Sequence, residues 1–167
     1  NIDYRVKNSG SPVNINLISR NAFTVKLTEI INFDTIILLE AYPRRSQPLL
    51  NHYIRHAANS SSKVYSIGTR SQKANYKVKQ EIVTPASCLV NYVISLAKAL
   101  VLNSEDKLKY SSIINSLDNI KIEQEVLQLA QEISDNKNIM IIVGEEALLH
   151  PSAKELISWA ESIASFF

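Results

Sequence analysis

The chain has 167 residues, 46% of them hydrophobic and 20% charged, with a formal net charge of +2. This length suits one domain with a substantial core, and so small a charge, without aromatic residues interleaved in a basic run, argues against a nucleic-acid-binding protein. The longest uninterrupted apolar runs, residues 36–39 and 139–143, are too short to cross a bilayer, so no direct membrane insertion is expected.

The chain shows no signal-peptide pattern. It begins at Asn1 rather than at a methionine, so we expect a piece of a longer protein. Its one cysteine, Cys88, excludes an internal disulfide framework. It also excludes an iron–sulfur cluster or zinc site built from cysteines of this chain alone. We interpret Cys88 as a small core residue near the start of a helix.

The first 33 residues predict an irregular segment followed by a helix. Residues 1–10 are polar without periodicity, and the alternation of Val13, Ile15 and Leu17 with asparagines is typical of a short, half-exposed strand or an extended segment. Apolar residues then recur at helical spacing, which predicts a helix over residues 22–32.

Residues 34–68 form the predicted core of the domain. The apolar run at 36–39 does not alternate, which is typical of a strand buried on both faces. A helix is predicted over 47–58, with Ser46 as its cap and Pro48 in its first turn. A second strand follows at 64–67 and ends at Gly68. Strand, helix and strand at this length predict one right-handed βαβ unit of a parallel sheet.

The remainder predicts a basic loop, several helices and one more strand. Residues 69–81 are interpreted as a surface loop with a brief extended piece at 76–78, and helices are predicted over 86–102, 104–117 and 122–133. A third buried strand is predicted at 139–144, and Pro151 opens the last helix. We therefore predict a single α/β domain over residues 1–167. It has three layers in αβα order, with a small, mainly parallel, Rossmann-like sheet. Its parts are 1–33, the βαβ unit 34–68, the loop and helices 69–135, and the last strand and helix 136–167.

Three loops follow the predicted strands, at residues 40–45, 68–70 and 144–146, where parallel sheets collect their ligands. Arg44, Arg45 and Arg70 are suitable donors to phosphate. A phosphate cradle, however, needs glycines, and the first loop has none. Glu40 occupies the place where a glycine would help, and Glu145 and Glu146 add negative charge to the third loop. Solvated loop charge is the favoured interpretation, and a nucleotide-binding or small-molecule-binding domain remains the alternative.

No metal site or catalytic group is predicted. His52 and His56 have the spacing that places two imidazoles side by side on a helix, but neither a glutamate base nor a convincing third ligand accompanies them. His150 lies just before a helix, and Arg55 would repel a cation. A metal-dependent enzyme is thus the last-ranked hypothesis. No Gly-x-Ser-x-Gly motif occurs, and Cys88 has no activating pattern beside it.

Five segments follow one another in a familiar order: NIDYR, FDTIILLEAYPRR, QPLLNHYIRHA, KVYSIGTR and IMIIVGEEALLHPSAKEL. Together they resemble the molybdopterin-oxidoreductase-like region of the large iron–sulfur subunit of NADH–quinone oxidoreductase (respiratory complex I). The likeness is strongest at both ends of the chain and around the βαβ unit. Residues 71–135 resemble that region only in the order of their helices.

In that family the first loop is expected to read Gly-x-Asn-Pro-Arg, followed by an acidic or polar pair, then Ala-Pro and Leu-Asn-x-x-Ile-Arg. Glu40 replaces the glycine here, and Tyr42 replaces the asparagine. In true molybdenum enzymes this loop helps to hold the phosphate and nucleotide part of the pterin cofactor. The positions that keep the pattern are Pro43, Arg44, Pro48, Leu50, Asn51, Ile54 and Arg55. The candidates for a vestigial cofactor loop are Pro43, Arg44, Arg45, Asn51, Arg55 and Arg70.

The resemblance implies a structural domain without chemistry of its own. In complex I this domain holds no molybdopterin, and the iron–sulfur clusters of the large subunit lie in its N-terminal part, on cysteines that this chain lacks. The implied partners are other peripheral-arm subunits and the rest of the same polypeptide. The implied location is the cytoplasmic side of the bacterial inner membrane, or the matrix side in mitochondria. Trp159, Phe166 and Phe167 are expected to contribute an apolar surface for the rest of that polypeptide.

Overall fold

The computed structural model describes residues 25–103, 120–136 and 138–165. The strands are β1 (Thr35–Leu39), β2 (Lys63–Gly68), β3 (Gln80–Val83) and β4 (Ile139–Val143). The α-helices are α1 (Pro43–Ser46), α2 (Pro48–Ser60), α3 (Ala86–Asn103), α4 (Gln124–Ser134), α5 (Glu145–Leu148) and α6 (Ala153–Ala164), and a 3₁₀ helix covers Leu27–Asn32. The predicted strand at residues 13–17, the predicted helix at 104–117, and Phe166 and Phe167 lie outside the described residues.

The four strands form one parallel sheet in the order β3-β2-β1-β4. Ile37 at the centre of β1 pairs with Tyr65 of β2 on one side and with Ile141 of β4 on the other. The chain therefore adds β2 and β3 on one side of β1 and then returns to add β4 on the other side. The predicted parallel α/β sheet is confirmed, and its change of direction lies between β1 and β4.

Alternate residues of the strands point into two separate cores, one on each face of the sheet. Ile36, Leu38 and Val64 pack with α2 and the 3₁₀ helix, where Ile30, Leu50 and Ile54 are buried. Ile37, Leu39 and Tyr65 pack on the opposite face against residues of α3, α4 and α6. Because both faces are covered, the strands carry continuous apolar runs, and the three layers follow from that pattern.

The predicted extended piece at residues 76–78 is wrong in position, because the strand in this region is β3. Only Ile82 of β3 is buried, whereas Glu81 and Val83 are exposed. A strand paired on one side, with polar residues along it, leaves little apolar periodicity to detect. β3 also reaches β2 in parallel without an intervening helix, since residues 69–79 form an irregular connection.

The predicted helix at residues 22–32 is described only in part. Leu27–Asn32 is a 3₁₀ helix rather than an α-helix, and Ile30 is its buried residue, while Ile31 is 37% exposed. Two adjacent β-branched isoleucines and Thr28 lower the helix propensity of this short segment. Phe33 then adopts an extended conformation that leads into β1.

Among the described helices, α3 alone has the length and apolar composition of a membrane span. Core helices of water-soluble proteins can have the same composition. Eight of its residues are buried, and α3 packs against α4 and α6 on one face of the sheet. Trp159 of α6 is half-buried and packs against the same core.

Candidate functional site

The loops after β1, β2 and β4 meet at one edge of the sheet, as predicted. Leu39 pairs in register with both Ile67 and Val143, so the three strands end side by side. The residues that follow them are Glu40, Thr69 and Gly144. This edge includes the carboxyl ends of β1 and β4, between which ligands bind in open α/β sheets of this kind.

Glu40 is the central residue of this edge. It is only 3% exposed, and its φ of 48° places it in the left-handed region that favours glycine. Its Oε1 accepts a hydrogen bond of 2.5 Å from the backbone N–H of Thr69, and its Oε2 accepts one of 3.2 Å from the Thr69 hydroxyl. A non-glycine residue in this conformation costs about 1–3 kcal/mol. Hydrogen bonds to a charged group contribute about 1.5–3 kcal/mol each, which is enough to offset that cost.

The side chain of Tyr42 covers the end of β2. Its hydroxyl donates a 3.4 Å hydrogen bond to Glu40 Oε2 and accepts a 3.0 Å hydrogen bond from the backbone N–H of Arg70. Gly68 makes this approach possible, because a Cβ at that position would lie 2.7 Å from the Tyr42 hydroxyl oxygen and 3.4 Å from Glu40 Oε1. The glycine at the end of β2 therefore leaves room for the side chains of Tyr42 and Glu40.

An ion pair joins the loop after β2 to the loop after β4. Arg70 Nη2 lies 2.6 Å from Glu146 Oε1, and the guanidinium carbon lies 4.9 Å from the centre of the Tyr42 ring. The hydrogen bond to Glu146, and then contact with Tyr42, raise the pKa of Arg70 above its usual value. Both side chains are partly exposed, so the pair contributes modestly to stability. The pair connects the two loops that flank the end of β1.

The backbones of the loops after β1 and β4 are in direct contact. A Cβ on Gly144 would collide with the carbonyl group of Glu40 and the Cα of Ala41. The Gly144 N–H also donates a 2.9 Å hydrogen bond to the Leu39 carbonyl. The backbones of the two loops therefore lie in direct contact and leave no room for a side chain at position 144.

These residues do not fit the phosphate and nucleotide part of a pterin cofactor, which the resemblance implies for this loop in molybdenum enzymes. The carboxylate of Glu40 occupies the donors of Thr69, and a second carboxylate, Glu146, is paired with Arg70. An anionic phosphate here would meet negative charge, and a close approach of its oxygens to the backbone is blocked by Tyr42 and by the contact at Gly144.

The arginines of the first loop lie on the short helix α1. Pro43 begins this helix and is buried, whereas Arg44 and Arg45 are exposed. Arg44 Nη1 donates a 2.6 Å hydrogen bond to the Lys73 carbonyl, which holds the irregular connection after β2. Of the three arginines considered as donors to phosphate, Arg44 and Arg70 thus bind other parts of this chain.

The two remaining candidates lie on α2. Asn51 is 7% exposed, and its Nδ2 donates a 3.1 Å hydrogen bond to Asn75 Oδ1, while its own Oδ1 has no hydrogen-bond partner among the described residues. Arg55 is exposed on the outer face of the helix. Neither side chain contacts Glu40 or Thr69 through a hydrogen bond in the described part of the structure.

The candidate metal and nucleophile residues lie apart from this edge or are tied to the backbone. His52 and His56 are exposed on α2, and the described residues contain no group of three metal-ligating side chains. The His150 ring binds the Ala86 carbonyl through Nε2 at 2.9 Å and accepts the Ser152 N–H at Nδ1, 3.0 Å away. Cys88 is a half-buried free thiol in the first turn of α3.

Sequence reasoning missed two residues of this edge, Thr69 and Gln72. The Gln72 side chain is 8% exposed and donates from Nε2 to the Ala41 carbonyl at 2.6 Å and to the Ser66 hydroxyl at 3.0 Å. Gln72 thereby holds the loop after β1 through the carbonyl of Ala41. Both residues belong to a polar stretch that resembles an exposed loop, and their contacts with the first loop are 29 to 31 positions away along the chain. Local sequence therefore carries no signal for them.

Similarity to known proteins is found at the level of the family. The sequence model of the molybdopterin oxidoreductase family matches residues 1–167. No curated protein matches the chain. The family match extends over the entire sequence and agrees with the parallel α/β sheet described above. The chain therefore belongs to the molybdopterin oxidoreductase family.

Proposed function

We propose that this chain is a catalytically inert, architectural domain of the molybdopterin oxidoreductase type. The observation that carries the proposal is the buried carboxylate of Glu40, which uses the hydrogen-bond donors of Thr69 at the edge of the sheet. Tyr42 and the Arg70–Glu146 pair close the same edge. An enzyme of this family needs its cofactor in order to react, and this arrangement favours a domain that no longer holds one.

The proposed assembly is respiratory complex I, with the chain as a fragment of its large iron–sulfur subunit. The family match supports a domain of the molybdopterin oxidoreductase type. The order of the five sequence segments and the substitutions at Glu40 and Tyr42 support its assignment to the large subunit of complex I. In this role the domain helps to build the peripheral arm, while electrons pass from NADH to quinone through cofactors located elsewhere in the complex.

In this role the chain holds no cofactor, and the iron–sulfur clusters lie in the N-terminal part of the full-length polypeptide. Its partners are the rest of that polypeptide and neighbouring peripheral-arm subunits, with no nucleic acid and no direct insertion into the membrane. The complex is attached to the cytoplasmic side of the bacterial inner membrane, or to the matrix side in mitochondria.

Inertness is tested on the purified chain by elemental analysis for molybdenum and iron, a visible absorption spectrum, and melting scans with nucleotides and with molybdopterin. A ligand that prefers the native state raises the melting temperature. We expect no stoichiometric metal, no visible absorbance and no shift. A reproducible shift with any of these ligands would overturn the proposal and favour the nucleotide-binding alternative.

Membership of complex I needs a separate experiment on the full-length polypeptide in its own host. The gene is tagged, membranes are solubilised mildly, and complexes are separated on a native gel stained for NADH dehydrogenase activity. We expect the tag to migrate with the active band. A tag that migrates only with other proteins would remove the complex I assignment and leave the family assignment intact.

A further inference from the structure

Positive charge is concentrated in one continuous part of the chain. Residues 41–80 contain eight lysines and arginines and no aspartate or glutamate, whereas residues 120–165 contain eight acidic residues and three lysines. The helix α2 of the first part packs on one face of the sheet, and α4 and α6 of the second part pack on the other. The net charge of +2 therefore results from a basic layer and an acidic layer that nearly cancel.

Five exposed cations lie on α1, on α2 and on the connection after β2. We call this surface the basic face, and its cations are Arg44, Arg45, Arg55, Lys73 and Lys77. Two hydrogen bonds hold the connection against the helices, from Arg44 Nη1 to the Lys73 carbonyl at 2.6 Å and from Asn51 Nδ2 to Asn75 Oδ1 at 3.1 Å. Arg55 follows Asn51 by one helical turn, on the same side of α2. The connection and the two helices thus present their charges together.

The charges of the basic face are not neutralised by carboxylates of the described residues. The ion pairs in this part of the chain are Arg70–Glu146 and Lys79–Glu132, which use other cations. Glu29, on the 3₁₀ helix that packs beside α2, accepts a backbone N–H of its own segment. Like charges held close together repel one another, and an acidic surface placed against them would relieve that repulsion.

An exposed leucine accompanies these charges. Leu49 in the first turn of α2 is 61% exposed, more than any other large hydrophobic side chain that the structure describes. His52 and His56 are also exposed and follow it at intervals of one helical turn. An apolar side chain bordered by polar and charged groups has the composition of a protein–protein interface, in which an apolar anchor is surrounded by a polar rim.

We propose that the basic face docks an acidic protein surface outside residues 1–167, with Leu49 as its apolar anchor. The inference rests on the proposed function, because an architectural domain acts through the surfaces it offers to its assembly. A bilayer suits this face less well, since one leucine inserts little apolar area. Nucleic acid suits it less well too, since α1 and α2 expose no Phe, Tyr or Trp on which bases could stack. A second copy would bind head to tail, in a contact that does not close.

The first test uses the full-length polypeptide, purified with its bound partners from its own host. A water-soluble carbodiimide joins a lysine amine to a carboxylate that it contacts, and mass spectrometry identifies the joined residues. We expect Lys73 and Lys77 to be joined to acidic residues outside residues 1–167, at least ten times more often than the exposed control lysines Lys121 and Lys154. Cross-links confined to residues 1–167, or equally frequent for the control lysines, would overturn the inference.

Charge reversal supplies the second test in the same full-length polypeptide. Arg45→Glu with Arg55→Glu changes two cations whose side chains make no hydrogen bond or ion pair with the described residues. Lys121→Glu with Lys154→Glu makes the same change of net charge away from the basic face. We expect the first pair to reduce co-purification of the cross-linked partner at least tenfold and the second pair to leave it unchanged. Equal co-purification from the two variants would overturn the inference.

The remaining occupants are tested on the purified 167-residue chain. It is sedimented alone over a range of concentrations and together with phosphatidylglycerol vesicles, and Arg45→Gln with Arg55→Gln is compared once circular dichroism shows it folded. We expect a monomer that does not bind vesicles. Self-association or vesicle binding that this variant loses would overturn the inference in favour of a second copy or a membrane. The proposed function would still stand, because its own tests measure ligand binding and migration with the active band.

Discussion

The carboxylate of Glu40 accepts hydrogen bonds from both the backbone N–H and the hydroxyl of Thr69, across 29 positions of sequence. This contact joins the end of β1 to the end of β2 at the edge where sheets of this topology bind ligands. A side chain of this chain therefore makes the contacts that an anionic ligand would make. The same contact stabilises this edge and occupies the hydrogen-bond donors of Thr69.

Replacing Tyr42 by Phe should weaken this edge without creating a cavity. The hydroxyl donates to Glu40 and accepts from the Arg70 N–H, so its loss leaves a donor and an acceptor without their partner. We expect a loss of about 1 kcal/mol in the free energy of unfolding. The melting temperature should fall by about 2–4 °C, measured by circular dichroism.

Tyr53→Phe is the matched control for Tyr42→Phe. Tyr53 is half-buried on α2, and its hydroxyl has no hydrogen bond to other described residues. Its replacement should leave the melting temperature within about 1 °C, because it removes no hydrogen bond. Equal losses in the two variants would contradict the role given to Tyr42.

Gly144→Ala should destabilise the chain more than Gly68→Ala. A Cβ at position 144 would collide with the backbone of Glu40 and Ala41, which cannot move without disturbing β1. A Cβ at position 68 meets the tip of the Tyr42 side chain at 2.7 Å, and that side chain can turn away. We expect losses of about 1–3 kcal/mol for Gly144→Ala, measured by urea denaturation.

A double-mutant cycle distinguishes a collision with the Tyr42 side chain from a collision with the backbone. Gly68→Ala should cost less in the Tyr42→Phe background, since the colliding oxygen is then missing. Gly144→Ala should cost the same in both backgrounds. If the cost of Gly68→Ala does not depend on Tyr42, the side chain does not occupy the place described for it.

Sequence predicts the buried strands well because they carry unbroken apolar runs. The predicted bounds of β1, β2 and β4 agree with the structure within one or two residues, and their parallel pairing follows from the helical connection. The edge strand β3 escapes prediction, because it has one buried residue and no periodicity to reveal it.

The position of the candidate site at the carboxyl ends of the strands can be predicted from sequence. The side-chain contacts that the loops make there cannot. The absence of glycine from the first loop and the acids in the third indicate a poor phosphate site. The positive φ of Glu40 and its contact with Thr69 depend on tertiary packing, and the Arg70–Glu146 pair joins positions 76 residues apart. No local pattern encodes contacts at such separations.

Tyr76→Phe should stabilise the chain. The Tyr76 hydroxyl is buried without a hydrogen-bond partner among the described residues, and burial raises the pKa of Tyr76 to about 12. A buried hydroxyl without a partner costs about 1–3 kcal/mol, so we expect its removal to add about 1 kcal/mol at pH 8, measured by urea denaturation.

The stabilisation by Tyr76→Phe should grow in alkali. Above pH 10 the tyrosine of the unfolded chain ionises while Tyr76 in the folded state stays protonated, so stability falls as the pH rises toward 12. Phenylalanine cannot ionise and escapes this loss. Tyr92→Phe is the control, because the Tyr92 hydroxyl donates to Glu123 and its removal should not stabilise the chain at pH 8. Stabilisation by both replacements at pH 8 would show that the unpaired hydroxyl is not the cause.

Glu132→Gln should make the stability of the chain less dependent on acid. The Glu132 carboxylate accepts from Lys79 Nζ at 2.6 Å and from the Tyr65 hydroxyl at 2.8 Å, and these two contacts lower the pKa of Glu132. Because the pKa is lower in the folded state, the contribution is present above the unfolded value of about 4.3 and is lost as the pH falls through the folded value. The side chain is 40% exposed, so solvent screening limits the effect to about 1 kcal/mol or less.

Urea denaturation of the natural chain and Glu132→Gln at pH 7 and pH 3 measures this contribution. The two proteins should differ in the free energy of unfolding at the higher pH and converge at the lower, because protonation removes from Glu132 the charge that the variant already lacks. Glu125→Gln removes the same charge from an exposed position of α4 and should show no such convergence. A gap between natural chain and Glu132→Gln that stays constant from pH 7 to pH 3 would mean that the hydrogen bonds of Glu132 do not depend on its charge.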